Sequence, residues 1–400
     1  MSGYLPDGLI VNMLRRLPIK SIIRCMCVCK RWKSIICTHH FITSHLNFTL
    51  SNSPPQRIFR YFDINFDKLH LSLHSSYDSF PSDKIDLHCV HHLFNRFHRI
   101  VGSSYGLLCL TCDDPQSEDY QSYVLCNPSI PKAILLPLPN IRFETHGLLD
   151  QSRGFGYDPR TRDYKVVRVA YLDNPVHSLV EIYTLRTGAW RNVNAPGPHG
   201  LIHDKTVSVF LNGAVHWFGH TDPRAHEEEE DDTLRNVIVV FDMVHELFNR
   251  FIAVPECFKR VKHLRMRVAV VDGFLGLVPY SSIGMIDEVR TKSVWVMREY
   301  GVAESWTKLF DIKVEAEIER VVGFTNNGEV LVVRVANELL FSEPRSGTIS
   351  IRCVGCNVEP LYLETFVESL LYWMQQMEFW EGGCFAHVIM FQFRGRIVYF

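Results

Sequence analysis

The sequence predicts a chain in two parts, a short helical segment at the N-terminus followed by an all-β domain folded as a β-propeller of about six blades. Apolar residues recur at helical spacing near the N-terminus, and strand patterns with tight turns recur about every fifty residues farther along the chain. With 400 residues, of which 46% are hydrophobic and 22% charged, the chain has ample material for a large core.

Three short helices are predicted between residues 5 and 36. Asp7 is expected to cap the first helix and Pro18 to end it, while Ser21 is expected to cap the second. The apolar residues of the first helix are expected to share one face: Leu9, Ile10, Met13, Leu14 and Leu17. Those of the second and third helices are Ile22, Cys25, Met26, Trp32, Ile35 and Ile36. So short a segment cannot bury all of these side chains by itself, which predicts that the surplus apolar face packs against a partner, either another chain or the rest of this one.

The N-terminal segment resembles the F-box of plant F-box proteins. The resemblance is carried by Leu5-Pro6, Leu17-Pro18-Ile19-Lys20-Ser21, Cys27-Val28-Cys29-Lys30-Arg31-Trp32, Ile35-Ile36 and Phe41-Ile42. Gly8 stands where an acidic residue is commoner in the family, and His39-His40 replaces the usual Asp-Pro pair. Neither departure changes the apolar face.

This resemblance implies that the segment docks on a Skp-type adaptor and, through it, joins the cullin and RING protein of an SCF ubiquitin ligase. The adaptor-binding face that it implies consists of Leu5, Pro6, Leu9, Ile10, Leu14, Leu17, Pro18, Ile22, Cys25, Val28 and Trp32. The alternative is that the helices only cap the downstream domain.

Residues 43–101 carry weaker patterns. Pro54-Pro55 indicates a linker, and the alternating residues 57–62 and 68–73 predict strands that could supply a sixth blade. The cluster His88, Cys89, His91 and His92 matches no usual zinc spacing, so we expect ordinary surface or packing residues there.

Turn signals define the repeat. Asp158-Pro159, Asn212-Gly213, Asp272-Gly273 and Asn327-Gly328 each separate two strand patterns. The resulting units open near residues 102, 154, 207, 267 and 320, and each holds about four strands, which is typical of a kelch-like propeller. Closing the blades into a ring buries both faces of each blade and protects its edges. A β-sandwich is the alternative fold.

The β-domain also resembles the F-box-associated region of the same plant family, which includes S-locus F-box and F-box/kelch-like proteins. The matching segments are 106–109, 127–129, 154–158, 163–168, 212–217 and 295–308. The predicted divisions are an F-box at 1–45, connecting strands with a possible first blade at 46–101, the F-box-associated domain at 102–363 and an atypical tail at 364–400.

Several motifs receive structural interpretations. The glycines of Gly154-Phe155-Gly156 are expected to form a turn, since no helix start follows them. The pairs Cys109/Cys112 and Cys353/Cys356 are expected to be thiols and not a zinc site. Core packing is expected of Trp190, Trp217, Trp295 and Trp306. The acidic run 227–232 is expected to be a solvated loop, and the tail is marked by Trp373, Phe379 and Trp380.

Composition and motifs argue against several classes of function. A formal net charge of −2 argues against a general nucleic-acid binder. Neither a secretory signal nor an apolar run long enough to span a bilayer is recognisable, and the scattered cysteines suit a reducing compartment, so we expect the cytoplasm, the nucleus or both. We find no catalytic, metal-binding or cofactor-binding set.

Three functions are therefore compared. The first is the substrate-recognition subunit of an SCF-type ligase, non-catalytic, with an unknown target protein held by the β-domain. The second is an F-box protein that works outside a ligase as a scaffold or decoy. The third is a propeller enzyme, which would need convergent titratable groups on its inner strands, and the sequence offers no such set.

Overall fold

The structure is a computed structural model that describes most of the chain. The described residues are 5–53, 56–63, 68–74, 85–86, 98–112, 121–130, 132–147, 150–172, 178–193, 200–202, 207–221, 235–261, 266–279, 293–311, 318–324, 329–334, 338–343, 348–351, 358–371, 392–393 and 396–397. None of the helices within these ranges combines the length and hydrophobicity that a bilayer crossing needs.

The described helices lie mainly at the N-terminus. They are α1 (Asp7–Leu14), α2 (Ile19–Met26), α3 (Lys30–Ile36), α4 (His39–Asn52) and, within the β-domain, the short α5 (Phe143–His146). Two 3-10 turns, Glu256–Phe258 and Ala303–Ser305, lie in later connections. We call the unit formed by α1–α4 the helical domain.

The predicted caps of α1 and α2 are wrong, because a proline takes the cap position in each helix. The carbonyl of Pro18 accepts a hydrogen bond from the N–H of Ile22 at 3.1 Å, so α2 begins before Ser21. Pro6 caps α1 in the same way, and Asp7 is the first helical residue. The cap position contributes a carbonyl, so the N–H that proline lacks is not needed there.

The helical domain differs from the prediction in two further ways. α1 ends at Leu14, and Leu17 therefore lies in the turn before α2 and not on the helix. α4 is not among the three predicted helices, although the signals for a helix are present in its sequence. The Thr38 hydroxyl caps α4 by accepting from the N–H of Phe41 at 3.2 Å. The apolar spacing of Phe41, Ile42 and Leu46 then buries one face.

The strands of the β-domain are short and regular. In chain order they are β1 (Gln56–Asp63), β2 (Lys68–His74), β3 (Ile85–Asp86), β4 (His98–Ser104), β5 (Leu107–Cys112), β6 (Tyr123–Asn127), β7 (Lys132–Leu135), β8 (Asp150–Asp158), β9 (Asp163–Tyr171), β10 (Ser178–Thr184), β11 (Ala189–Asn192), β12 (Gly200–Ile202), β13 (Val209–Leu211), β14 (Ala214–Thr221), β15 (Asn236–Asp242), β16 (Leu247–Ala253), β17 (Met266–Val271), β18 (Phe274–Pro279), β19 (Ser293–Met297), β20 (Trp306–Asp311), β21 (Ile318–Phe324), β22 (Val330–Arg334), β23 (Glu338–Glu343), β24 (Thr348–Ile351), β25 (Val358–Phe366), β26 (Gln392–Phe393) and β27 (Arg396–Ile397).

These strands form six sheets, which are the blades of the predicted propeller, and one small hairpin, β26–β27. Blade 1 has the order β25-β1-β2-β3, blade 2 consists of β4–β7, blade 3 of β8–β11, blade 4 of β12–β16, blade 5 of β17–β20 and blade 6 of β21–β24. Buried clusters join each of the first five blades to the next. Contacts between β21 and β25 close the ring. The fold class is confirmed, and the β-sandwich alternative is not the fold.

Blade 1 is completed by the two ends of the β-domain. β25 pairs antiparallel with β1, from Gln56 opposite Phe366 to Asp63 opposite Val358. The predicted division at 363/364 therefore falls inside a strand. Pairing the last strand of a ring with the first leaves no open edge at the point of closure.

The predicted Asn-Gly and Asp-Gly turns are confirmed where the structure describes them. Asn212 and Gly213 have φ angles of 51° and 77°, and Asp272 and Gly273 have 50° and 81°. Two successive positive φ angles are what a tight hairpin turn requires. The turn at Asn327-Gly328 lies outside the described residues.

The predicted turn at Gly154-Phe155-Gly156 is wrong, because these residues lie within β8. A Cβ atom at Gly156 would lie 2.4 Å from Cδ2 of Phe210, and one at Gly154 would lie 2.5 Å from Cζ2 of Trp217. Both aromatic rings belong to blade 4. The glycines are therefore needed for the close approach of the next blade.

The predicted core role of the tryptophans is confirmed: Trp190, Trp217 and Trp306 are buried, and Trp295 is half-buried and packs against the core cluster that contains Trp306. Trp190 and Trp306 have equivalent positions in the outer strands of blades 3 and 5. The indole N–H of Trp190 donates to the carbonyl of Pro137 at 2.7 Å, and that of Trp306 donates to the carbonyl of Ala253 at 2.7 Å. Each bond ties a blade to the end of the preceding one.

Candidate functional site

The apolar residues of α1 divide into two faces. Ile10 and Leu14 are buried in the core, whereas Leu9 and Met13 are 50% and 57% exposed. Each pair is four residues apart and therefore shares a face of the helix. Neighbouring residues in a helix are rotated by about 100° from one another, so the two pairs point in different directions. α1 thus presents one apolar face to the core and a second to solvent.

Other exposed apolar residues lie in the same domain. Leu5, just before α1, is 48% exposed, and Val28, between α2 and α3, is 64% exposed. Pro6 is exposed as well. We call Leu5, Pro6, Leu9, Met13 and Val28 the exposed apolar set. Large apolar side chains concentrated in this way on a small domain are typical of a protein-binding surface.

Arg31 of α3 fixes the start of α1. Its guanidinium donates to Oδ1 of Asp7 from Nε at 2.9 Å and from Nη2 at 2.5 Å, and Nη2 also donates to the carbonyl of Leu5 at 2.8 Å. Arg31 belongs to the sequence motif, but no role is predicted for it. The opposite charge of Asp7 is the signal that could have identified the pair.

The structure separates the residues of the predicted adaptor-binding face by their burial. The exposed residues are Leu5, Pro6, Leu9, Pro18 and Val28. The half-buried residues are Leu17, Cys25 and Trp32. Ile10, Leu14 and Ile22 are buried in the core cluster, so they support the surface from within and are not part of it. Met13, which is not part of the predicted face, is exposed on α1 beside Leu9, and periodicity alone does not show which of two adjacent faces is covered.

The cysteines around the turn between α2 and α3 have local structural roles. The Sγ atom of Cys29 accepts a hydrogen bond from the N–H of Trp32 at 3.4 Å and caps α3. Burial raises the pKa of the Cys25 thiol, which keeps it protonated and weakly nucleophilic at neutral pH. Among the residues that the structure describes, no group of His, Cys, Asp and Glu side chains could hold a metal ion.

The helical domain is fastened to the ring by the residues that follow β25. Leu370 and Leu371 are buried in the cluster that joins the helical core to blades 2 and 3. The Asn127 amide donates to the carbonyl of Ser369 at 3.2 Å. A Cβ atom at Gly106, whose φ is +84°, would lie 2.7 Å from the Ser369 nitrogen. The helices do pack on the β-domain, yet α1 keeps its second apolar face exposed.

Buried charges in the β-domain are paired between strands. Nζ of Lys165 lies 2.6 Å from Oδ2 of Asp158 and 2.9 Å from Oε1 of Glu246. Burial alone would raise the pKa of Asp158, but hydrogen bonds from Lys165 and Thr161 hold the pKa below its usual value. These groups satisfy one another inside the blades, so their role is structural.

Several predicted features lie outside the described residues. They are the cluster at 88–92, the acidic run 227–232, the pair Cys353/Cys356 and the aromatic residues Trp373, Phe379 and Trp380. Cys109 and Cys112 are described, and both are buried in β5.

Comparison with known families matches both parts of the chain. The F-box domain model matches residues 4–44, and the model of the F-box associated β-propeller domain matches residues 58–359. The exposed apolar set lies within the first match. The second match begins within β1 and ends within β25, and it contains all the strands that lie between them in the chain.

Two Arabidopsis thaliana F-box proteins are similar to the chain over most of its length. The chain is 28% identical to the Arabidopsis thaliana F-box/kelch-repeat protein At3g23880, over 91% of this chain and 95% of the relative. It is 25% identical to the Arabidopsis thaliana F-box protein At3g07870, over 86% of each chain. Among solved structures, Kuenenia stuttgartiensis hydrazine synthase superposes with a TM-score of 0.45 at 6% identity, covering 80% of this chain and 47% of that one. With its F-box helices, its closed ring of blades and these two domain matches, the chain belongs to the F-box proteins that carry an F-box associated β-propeller domain.

Proposed function

We propose that this chain is the substrate-recognition subunit of an SCF-type ubiquitin ligase. In this proposal the helical domain docks on a Skp-type adaptor, which links it to the cullin and the RING protein, and the propeller binds a target protein for ubiquitination and degradation. The chain itself is non-catalytic. Its contribution is proximity, since holding two reactants together turns a bimolecular encounter into a local one.

The observation that carries the proposal is the second apolar face of α1. The core of the helical domain is closed by Ile10, Leu14 and Ile22, so Leu9 and Met13 are not needed to complete it. Complete burial of a fully exposed side chain of this size contributes about 1.5–3 kcal/mol, and covering a half-exposed one contributes roughly half of that. A partner that covers Leu9 and Met13 together with Leu5 and Val28 would therefore gain several kcal/mol of favourable binding free energy.

The surroundings of this face support the same role. Pro18 is exposed, and Leu17, Cys25 and Trp32 are half-buried, so they extend the surface with smaller accessible areas. The bonds from Arg31 to Asp7 and to the Leu5 carbonyl hold the start of α1 before a partner arrives. Such preorganisation reduces the entropy lost on binding.

The cellular compartment is proposed together with the ligase function. A reducing compartment suits the free thiols of Cys25, Cys27, Cys29, Cys37, Cys109 and Cys257. We propose that the protein works in the cytoplasm, the nucleus or both.

A reconstitution experiment with the full-length chain tests this function. Leu9→Gln with Met13→Gln keeps good helix formers in α1 while removing its exposed apolar surface. Leu138→Gln is the matched control, because Leu138 is also 50% exposed but lies in the β-domain. We expect the wild type and the control to capture the adaptor together with the cullin, and the double variant to lose both.

The readouts distinguish the competing functions. Undiminished capture of the adaptor by the double variant would overturn the proposed docking surface. Capture of the adaptor without the cullin, or target proteins whose lifetimes do not change when the chain is removed, would favour the scaffold or decoy role.

A further inference from the structure

A cavity of about 940 Å³ lies between the helical domain and the mouth of the propeller. The turn after α1 and one side of α4 form the first wall. The turns that follow β4, β13 and β17, in blades 2, 4 and 5, form the opposite wall. Protein cavities that bind small ligands have volumes of about 300–1,000 Å³. This cavity has that size and is built by both domains.

Positive charge predominates among the described lining residues. The guanidinium groups are those of Arg15, Arg16, Arg57 and Arg267, and the carboxylates are those of Asp272 and Glu368. Oε1 of Glu368 already accepts a hydrogen bond from the Ser129 hydroxyl at 2.8 Å. The lining is thus more basic than the chain as a whole, whose formal net charge is −2. A concave basic surface attracts anions.

Arg15 and Arg16 are the cations best placed to meet a ligand. Neither forms an ion pair with any residue that the structure describes. The Arg15 guanidinium lies 5.6 Å from the centre of the Phe48 ring, which orients it without neutralising its charge. A planar guanidinium is well suited to phosphate and carboxylate groups, because it donates two parallel hydrogen bonds to them.

Buried polar atoms of the lining also lack partners. Nε of Arg15, Nδ1 of His45 and Oγ of Ser104 are inaccessible and have no hydrogen-bond partner among the described residues. His45 and Ser104 are themselves almost completely buried. An unsatisfied buried polar atom costs about 1–3 kcal/mol, so such atoms normally meet a ligand or an ordered water molecule.

The orientation of His45 adds a requirement for the ligand. Its Nε2 lies 3.1 Å from the carbonyl of Leu17, which can only accept, so Nε2 carries the hydrogen. In the neutral ring Nδ1 is then an acceptor. Arg15 and Ser104 can donate to an oxyanion, while Nδ1 of His45 can accept from a hydroxyl group.

We propose that this cavity binds a small hydroxylated organic anion bearing phosphate or carboxylate groups, with Arg15 and Arg16 as its charged partners and Ser104 and His45 as hydrogen-bond partners. The site goes beyond adaptor docking: Leu17 and Pro18 border both surfaces, whereas Leu9, Met13 and Val28, the exposed centre of the docking surface, do not line the cavity. Because both domains supply its walls, a bound anion would stabilise their association.

The test measures thermal unfolding of the full-length chain without any adaptor. Tripolyphosphate and citrate serve as the phosphate and carboxylate probes, and sodium chloride at equal ionic strength is the reference. We expect at least one probe to raise the Tm as its concentration increases. Arg15→Gln with Arg16→Gln is expected to weaken the apparent affinity at least about tenfold. Arg24→Gln, in an exposed arginine of α2 that does not line the cavity, is expected to leave the affinity unchanged.

Every outcome of the thermal-unfolding test either supports the proposed anion site or overturns it. A response to tripolyphosphate alone, to citrate alone or to both identifies the group that is bound. The absence of any shift beyond the salt reference, or an equal shift in the Arg15/Arg16 variant, overturns the site and indicates that water alone occupies the cavity. Should that variant fail to fold, Ser104→Ala provides the same test with a smaller change. Adaptor binding is measured separately, so failure here leaves the proposed ligase function untouched.

Discussion

Oδ1 of Asp7 lies 2.5 Å from Nη2 of Arg31, joining the first residue of α1 to the first turn of α3. Both side chains are partly exposed, and exposed ion pairs contribute only about 0.2–1 kcal/mol to stability. Arg31 also holds the carbonyl of Leu5. The pair therefore matters mainly for the position of Leu5 and Leu9.

Removing this pair is expected to affect binding more than folding. We predict that Arg31→Gln lowers adaptor affinity about five- to tenfold while changing the free energy of unfolding by less than about 1 kcal/mol. Titration calorimetry and denaturant unfolding measure the two quantities. In a double-mutant cycle with Asp7→Ala, the two losses of affinity are expected to be non-additive. Fully additive losses would show that the residues act separately.

Breaking the buried ion pair of Arg168 and Glu181 is expected to lower the free energy of unfolding strongly. Nη1 of Arg168 lies 2.5 Å from Oε1 of Glu181, and both side chains are inaccessible. Arg168→Met leaves the Glu181 carboxylate buried without its cation, which is expected to cost about 3–5 kcal/mol. Arg168→Met combined with Glu181→Gln removes both charges and is expected to cost less than the single change. Chemical denaturation measures both, and a double variant less stable than Arg168→Met would contradict the account.

The burial of His216 is expected to make the free energy of unfolding depend on pH. Burial lowers its pKa from 6.5 to about 4, and its Nε2 lies 2.7 Å from the Tyr300 hydroxyl. Between these pH values the unfolded chain binds a proton that the folded protein excludes, so this contribution to stability is complete above about pH 6.5 and is lost as the pH falls towards 4. The loss amounts to about 3 kcal/mol. The free energy of unfolding of His216→Asn should therefore fall less steeply with acid, whereas parallel curves for the two proteins would refute the assignment.

Replacing glycine by alanine is expected to have opposite effects on stability at Gly156 and at Gly8. At Gly156 an added methyl group would lie 2.4 Å from the Phe210 ring, and overpacking of this kind costs about 1–3 kcal/mol. Gly8 has no atom within 4 Å of the added carbon and lies in α1, where alanine is favoured by up to about 1 kcal/mol. Thermal unfolding should show a lower Tm for Gly156→Ala and a higher one for Gly8→Ala. Phe210→Leu should partly rescue Gly156→Ala, and a lack of rescue would place the clash elsewhere.

The parts of the fold that depend on local chemistry could be predicted from the sequence. Asn212-Gly213 and Asp272-Gly273 are confirmed because the positive φ angles of a tight turn favour those residue types. The glycines in β8 were misassigned because they are required by Phe210 and Trp217 of another blade. The closing strand β25 lies next to β1 only once the ring has formed. Contacts between distant segments leave no pattern in either segment alone.

The candidate site, like the fold, could be predicted only where local sequence determines it. The resemblance identifies the helical segment, but periodicity does not show that Ile10 and Leu14 face the core while Leu9 and Met13 face solvent. Which side of α1 is covered depends on its packing with α4 and with the residues after β25. Neither of these packing contacts is predicted from the sequence. The cavity beneath α4 could not be predicted for the same reason, since its walls come from segments far apart in the chain.

Hydrogen exchange of the full-length chain with and without its adaptor tests the docking surface most directly. We expect the adaptor to slow exchange of the backbone amides in residues 5–14 and around Val28, with little change in the outer strands of the blades. Slowed exchange confined to the propeller, with α1 exchanging as fast as in the free chain, would contradict it.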